Sequence, residues 1–98
     1  ESEVIAVTTT WYNPYLRQIL EFDILMDTDF TWATTGESSM MDVQNIATHE
    51  LGHGIGLSDI YDTACSAVTM YGYSSNGDIA KRDLAQPDIT GLQKLYGK

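Results

Sequence analysis

The pattern of hydrophobic and polar positions divides the chain into four unequal stretches. "VIAVTTTWY" (Val4 to Tyr12) crowds β-branched and aromatic residues together, and Asn13-Pro14 behind it disfavours helix and favours a turn. A strand followed by a turn is predicted there. "ILEFDILMD" (residues 19 to 27) alternates, with Leu20, Phe22, Ile24 and Met26 on one face and Glu21, Asp23 and Asp27 on the other, which predicts a half-buried second strand. After the polar loop "TTGESS" (Thr34 to Ser39), Met41, Val43, Ile46, Ala47 and Leu51 follow helical spacing. This predicts a helix over about residues 41–54, with Ser39 or Asp42 available at its start and glycines at its end. Residues 59 to 80 hold glycines, serines and tyrosines without a sustained period and read as a structured irregular loop. Pro87, Ile89, Leu92, Leu95 and Tyr96 then predict a second amphipathic helix that closes at Gly97. Strands followed by helices make the expected fold class α+β.

Composition narrows what such a domain does. Ninety-eight residues, 43% hydrophobic, form one small domain spanning 1–98. Five basic residues against fourteen acidic ones give a net charge of -9, which repels phosphate backbones and anionic membranes, so no nucleic-acid partner is expected. No apolar run approaches the roughly 20 residues of a membrane helix, so no membrane span is expected. The chain opens on Glu1 rather than Met, as a processed product or a piece of a longer polypeptide does. Cys65, alone, has no internal disulfide partner and reads as a small packed thiol.

The chemistry concentrates in "THELGHGIGLSD" (residues 48 to 59), which contains both histidines of the chain. Residues four apart share a helix face, so His49 and His53 can each offer a ring nitrogen to one metal ion. Glu50 lies about 100 degrees further round the helix, where its carboxylate reaches a metal-bound water without being a ligand. This is the H-E-x-x-H arrangement, in which the ion acidifies its water and the glutamate takes the proton. The bland alternative, two surface histidines beside a solvated glutamate, leaves the costly glycines at 52, 54 and 56 unexplained. Two histidines need a third protein ligand. No Glu follows Glu50, whereas Gly56 permits a sharp turn that returns Asp59 to the metal, with Asp62 in reserve at worse spacing.

"HELGHGIGLSD" resembles the long zinc signature of the metzincin metallopeptidases, with Asp59 where most members carry a third histidine, a variant of the snapalysin group. The resemblance is closest to the matrixin branch. "TMYGY" (Thr69 to Tyr73) resembles its Met-turn, which implies that Met70 forms an apolar floor beneath the ligands. "KRDLAQPDITGLQKLYG" (Lys81 to Gly97) resembles its last helix, and "EFDILMDTDFTW" (Glu21 to Trp32) its edge strand and the segment after it.

Four departures qualify the likeness. The first helix and first strands of a matrixin domain have no counterpart, so the chain resembles a zincin catalytic domain trimmed at its N-terminus. Leu25 stands where matrixins place a histidine of a structural zinc site, so no second zinc is expected. Asp27 matches one of two acidic calcium positions and Phe30 replaces the other. Calcium is therefore doubtful, the alternative being a solvated acidic turn of Asp27 and Asp29. Gly72 replaces a proline after the Met-turn tyrosine, leaving Tyr71, Gly72 and Tyr73 as candidates for the substrate-pocket wall.

The resemblance implies a metzincin-like domain with a small mixed sheet, an active-site helix, a Met-turn and a C-terminal helix. It implies a secreted, extracellular zinc metalloendopeptidase acting on peptide or protein substrates. Zinc would sit on His49, His53 and Asp59, Glu50 would serve as general base, and substrate would add to the edge strand around residues 21–27. The competing expectation is a zinc-stabilised structural or binding module that has lost catalysis. An N-terminal segment or propeptide outside these residues is left open as a partner.

Overall fold

A computed structural model describes residues 4–97 of the chain. Strands β1 (Ala6–Asn13) and β2 (Gln18–Met26) form an antiparallel hairpin, in register from Ala6 opposite Met26 to Asn13 opposite Gln18 with an irregularity at Trp11/Tyr12. Asn13 builds the turn, its Oδ1 accepting from the backbone N–H of Tyr15 and Leu16, and Arg17 takes the left-handed conformation that lets the chain reverse (φ 54°). The predicted alternation sets the faces of β2: Phe22, Ile24 and Met26 turn to the half-buried side, while Leu20 near the tip stays exposed. On the facing side of β1 stand Ala6, Thr8 and Thr10, small or polar residues, and Val7 and Trp11 point outward.

Two further strands, β3 (Trp32–Ala33) and β4 (Met41–Asp42), pair in parallel. Parallel and antiparallel pairing thus both occur, as expected, but in two separate two-stranded sheets. Helix α1 (Val43–Gly54) follows β4 directly, so residues 41 and 42 form a strand and the helix itself begins at Val43. Asp42 is its N-cap, accepting from Asn45 N at 2.9 Å. Helix α2 (Gln86–Tyr96) carries Pro87 in its first turn and ends at Gly97.

The core lies between α1 and the irregular loop. Met41, Ile46, Val68 and Met70 are buried there beside a larger polar set: Asp42, Asn45, His49, Glu50, Thr69, Lys81 and Asp88. Most of these buried polar groups are hydrogen-bonded, as burial demands, while Asp88 Oδ1 has no partner among the described residues. Asn45 accepts from Lys81 N and donates to Ser74 Oγ, and Lys81 Nζ donates to Tyr73 O and Asp78 Oδ2. Arg82 Nε donates to Asp42 Oδ2 at 2.7 Å. Asp88 Oδ2 accepts from Ala85 N and from Thr69 N, so the first turn of α2 grips the loop at the residue before Met70.

Candidate metal centre

His49 and His53 lie one turn apart on the same face of α1, and a bridge between chain segments brings the third residue to them. Ile60 N donates to Met70 O and Gly72 N to Ile60 O, both at 2.8 Å, so residues 59–61 run beside the Met70 segment. Gly56, at φ 109°, supplies the reversal after the helix that makes this return available to Asp59. The result is a triangle of donor atoms. His49 Nε2 and His53 Nε2 are 3.2 Å apart, and Asp59 Oδ1 is 2.9 Å from the first and 3.2 Å from the second.

The other ring nitrogens decide which atoms face that triangle. His49 Nδ1 lies 2.7 Å from Thr69 O, and His53 Nδ1 lies 2.8 Å from Leu57 O. A carbonyl only accepts, so each ring donates from Nδ1, and an imidazole bonded in that way offers Nε2 to a metal. Two imidazole lone pairs and a carboxylate oxygen converging on one point form a donor set for a divalent cation. Ligands at about 2.0–2.1 Å in tetrahedral array are about 3.3–3.4 Å apart, close to the spacing observed, so these residues fit zinc.

Glu50 belongs to the same cluster, with a carboxylate oxygen and the two ring nitrogens within 4.8 Å of one another. Both carboxylates thus approach the ring nitrogens, Asp59 through Oδ1 at 2.9 and 3.2 Å. The Glu50 side chain is held from the opposite side: Thr8 on β1 donates to its Oε1 at 2.6 Å and lies 3.0 Å from its backbone carbonyl. Tyr61 donates to Asp59 Oδ2 at 3.2 Å, which leaves Oδ1 to the histidines. The negative charge of Asp59 holds the Tyr61 phenol above its ordinary value, so it remains a donor.

Met70, 2% exposed, packs under α1 where the helix carries Gly52: a Cβ at that position would lie 2.3 Å from the Met70 sulfur. The Met70 thioether thus lies against α1 at Gly52, between the two histidines in sequence. A Cβ at Gly54 would likewise sit 2.6 Å from the Phe22 ring of β2. The glycines within the motif therefore answer close approaches of Met70 and of the hairpin.

A cleft of about 670 Å³ opens over the cluster, bounded by residues 4–8 on one side and by Tyr61, Tyr71, Gly72 and Tyr73 on the other. Gly72 makes room for the Tyr61 ring, which a Cβ would meet at 2.3 Å. Asp62 does not join the cluster; it caps a 3-10 turn, accepting from Ala64 N. Asp27 Oδ1 accepts from Asp29 N in a local turn, and Leu25 is exposed on the hairpin. One expectation is corrected. The strand beside the cleft is β1, because Thr8 ties it to α1; residues 21–27 lie behind it.

The matrixin family matches residues 9–97 of the chain. The chain belongs to the matrixin family. It is 42% identical over 76 residues to human (Homo sapiens) matrilysin, covering 78% of this chain and 27% of that protein. It is 40% identical to matrix metalloproteinase-18 of Xenopus laevis over 78% of the chain and 15% of the relative. Interstitial collagenase of Oryctolagus cuniculus is 37% identical over 76% of the chain and 14% of its own length. The chain thus spans about a quarter or less of these matrixins. No solved structure matches it. Matrixins are zinc-dependent metalloendopeptidases acting on peptides or proteins, mostly secreted or extracellular. Among the described residues, no helix is long and apolar enough to cross a membrane.

Sequence reasoning missed Thr8 and the two carbonyls behind the histidines. The carbonyls belong to Thr69 and Leu57, and backbone acceptors leave no trace in residue identity. Thr8 lies 42 positions before Glu50, in a run of three threonines that read as ordinary strand.

Proposed function

We propose that this matrixin chain is the catalytic part of a secreted zinc endopeptidase, corresponding to the C-terminal part of a matrixin domain. His49, His53 and Asp59 would hold the zinc, and the triangle of their donor atoms is the observation that carries the reading. Bound there, zinc supplies Lewis acidity, lowering the pKa of water and drawing charge from a carbonyl oxygen.

The chain's own groups supply the rest. Glu50, on the helix between the ligands, accepts a proton from water attacking the scissile carbonyl and returns it to the leaving amine. The edge that residues 4–8 form leading into β1 offers backbone donors and acceptors to an extended peptide. Tyr71 and Tyr73 wall the cleft opposite and take part of the substrate's side-chain surface. The ring contacts with Tyr61 and Tyr73 narrow the wall at Gly72. Asp59 brings a negative charge where a third imidazole brings none, which weakens the Lewis acid relative to a three-histidine site.

The test is hydrolysis of casein and of quenched fluorescent peptides by the zinc-loaded protein. Glu50→Ala should retain bound zinc and lose turnover by at least about 100-fold. Wild-type turnover in that variant would contradict the assignment of Glu50. Bound zinc without cleavage of any unstructured substrate by the wild-type protein would instead favour a zinc-stabilised binding module.

A further inference from the structure

Glu50 is 6% exposed, and a carboxylate so enclosed requires donors or a nearby cation. Among the described residues its side chain has one hydrogen-bond donor, Thr8 Oγ1, at 2.6 Å from Oε1. Oε2 has no protein donor and is not among the closed-off polar atoms, so it remains the oxygen open to the cleft. Glu50 also lies close enough to the ring nitrogens to join a ligand set. A glutamate has three side-chain torsions, so something must choose between its use as a base and its use as a ligand.

Thr8 is suited to that choice. It sits on the inward face of β1, opposite Ile24 in the hairpin register, and the strand geometry fixes where its Cβ points. Threonine is stiff at χ1, so its hydroxyl is held in place with little entropy left to lose. The same hydroxyl reaches the Glu50 backbone carbonyl at 3.0 Å, which anchors the pair to α1 itself.

We propose that Thr8 is a positioning residue for Glu50: its hydroxyl fixes Oε1 and thereby presents Oε2 to the cleft and keeps the carboxylate out of the metal's ligand set. The assignment rests on the endopeptidase reading for its catalytic consequence, though the hold on the carboxylate stands independently of turnover.

The experiment compares Thr8→Val, which keeps the shape and removes the hydroxyl, with Thr8→Ser, which keeps the hydroxyl. Supporting contacts of this kind are worth about 10- to 100-fold. Thr8→Val should lower kcat by that factor, leave KM within about twofold, and bind zinc in the wild-type ratio; Thr8→Ser should recover most of the loss. In the zinc-free protein, the side-chain carboxyl ¹³C resonance of Glu50, assigned by its disappearance in Glu50→Gln, should move in Thr8→Val and hold its place in Thr8→Ser. Thr8→Ala serves as the second hydroxyl deletion if Thr8→Val fails to fold. An unmoved resonance, or wild-type kcat without the hydroxyl, overturns the proposal. If the wild-type protein cleaves nothing, the endopeptidase reading fails, and the resonance alone decides whether Thr8 holds Glu50.

Discussion

The hairpin and the helix-loop half of the molecule are held together by different means. No residue of β1 or β2 is fully buried, and Trp11, Tyr12, Leu16, Leu20 and Leu25 face solvent. In the other half the described buried set includes four hydrophobic side chains and seven polar or charged ones. Its scaffold is thus a hydrogen-bonded network more than an apolar core, and such networks lose most when one member is removed and its partner is left orphaned. The hairpin depends on its own ladder and on contacts with α1 that include Thr8 at Glu50 and Phe22 at Gly54. The candidate site lies where the two meet: the half rich in polar bonds holds His49, His53 and Asp59, and the loosely packed half supplies one wall of the cleft.

The largest expected effect comes from breaking the network. Lys81→Ala leaves Asp78 and the Tyr73 carbonyl without their ammonium and should cost about 3 kcal/mol, since Asp78 keeps some contact with water. Urea unfolding measures it; a loss below about 0.5 kcal/mol would show the network to be dispensable. The seam comes next. Gly54→Ala drives a methyl into the Phe22 ring and should cost about 1–3 kcal/mol, offset by the better helix propensity of alanine. Adding Phe22→Leu should recover part of the loss if the clash is the cause.

Asp42→Ala should cost about 1–3 kcal/mol through the lost helix cap and the hydrogen bonds that Arg82 gives up. It also tests a pH dependence. The Arg82 guanidinium, through its hydrogen bonds, holds the Asp42 carboxyl below its ordinary 3.8, against the opposing effect of burial. A carboxyl depressed on folding contributes stability that is complete above its unfolded value and is lost as pH falls through it toward the lower folded value. Thermal unfolding followed from pH 5 to pH 2 should show a smaller decline in Asp42→Ala than in the wild type. The smallest effect belongs to the hairpin tip: Leu16→Ser, at a position 64% exposed, should change stability by less than about 0.5 kcal/mol. A larger loss there would mean the hairpin is packed more firmly than its exposure indicates.

Much of this was legible in the sequence where the signal is local. The period around Met41 to Leu51 marked α1, Asp42 was available as its cap, and His49, Glu50 and His53 were fixed relative to one another once the helix was drawn. Gly56 pointed to Asp59 because a positive φ is a property of one residue. What required distant partners was hidden. Strands of two residues, such as β3 and β4, are too short to show a period. The faces of β1 do not follow hydrophobicity, since Thr8 and Thr10 point inward and Val7 and Trp11 outward, so nothing in "VTTTW" revealed which strand borders the cleft. The resemblance directed attention to residues 21–27, one strand away from the wall.

The central claim is that one zinc ion sits on His49, His53 and Asp59 with Glu50 beside it. Anomalous scattering at the zinc edge from crystals of the zinc-loaded protein tests it most directly. The account predicts one peak within about 2.0–2.2 Å of His49 Nε2, His53 Nε2 and Asp59 Oδ1, with the Glu50 carboxylate outside that distance and still bonded to Thr8. A peak ligated by Glu50 or Asp62 in place of Asp59, or no peak at the histidines, would contradict it.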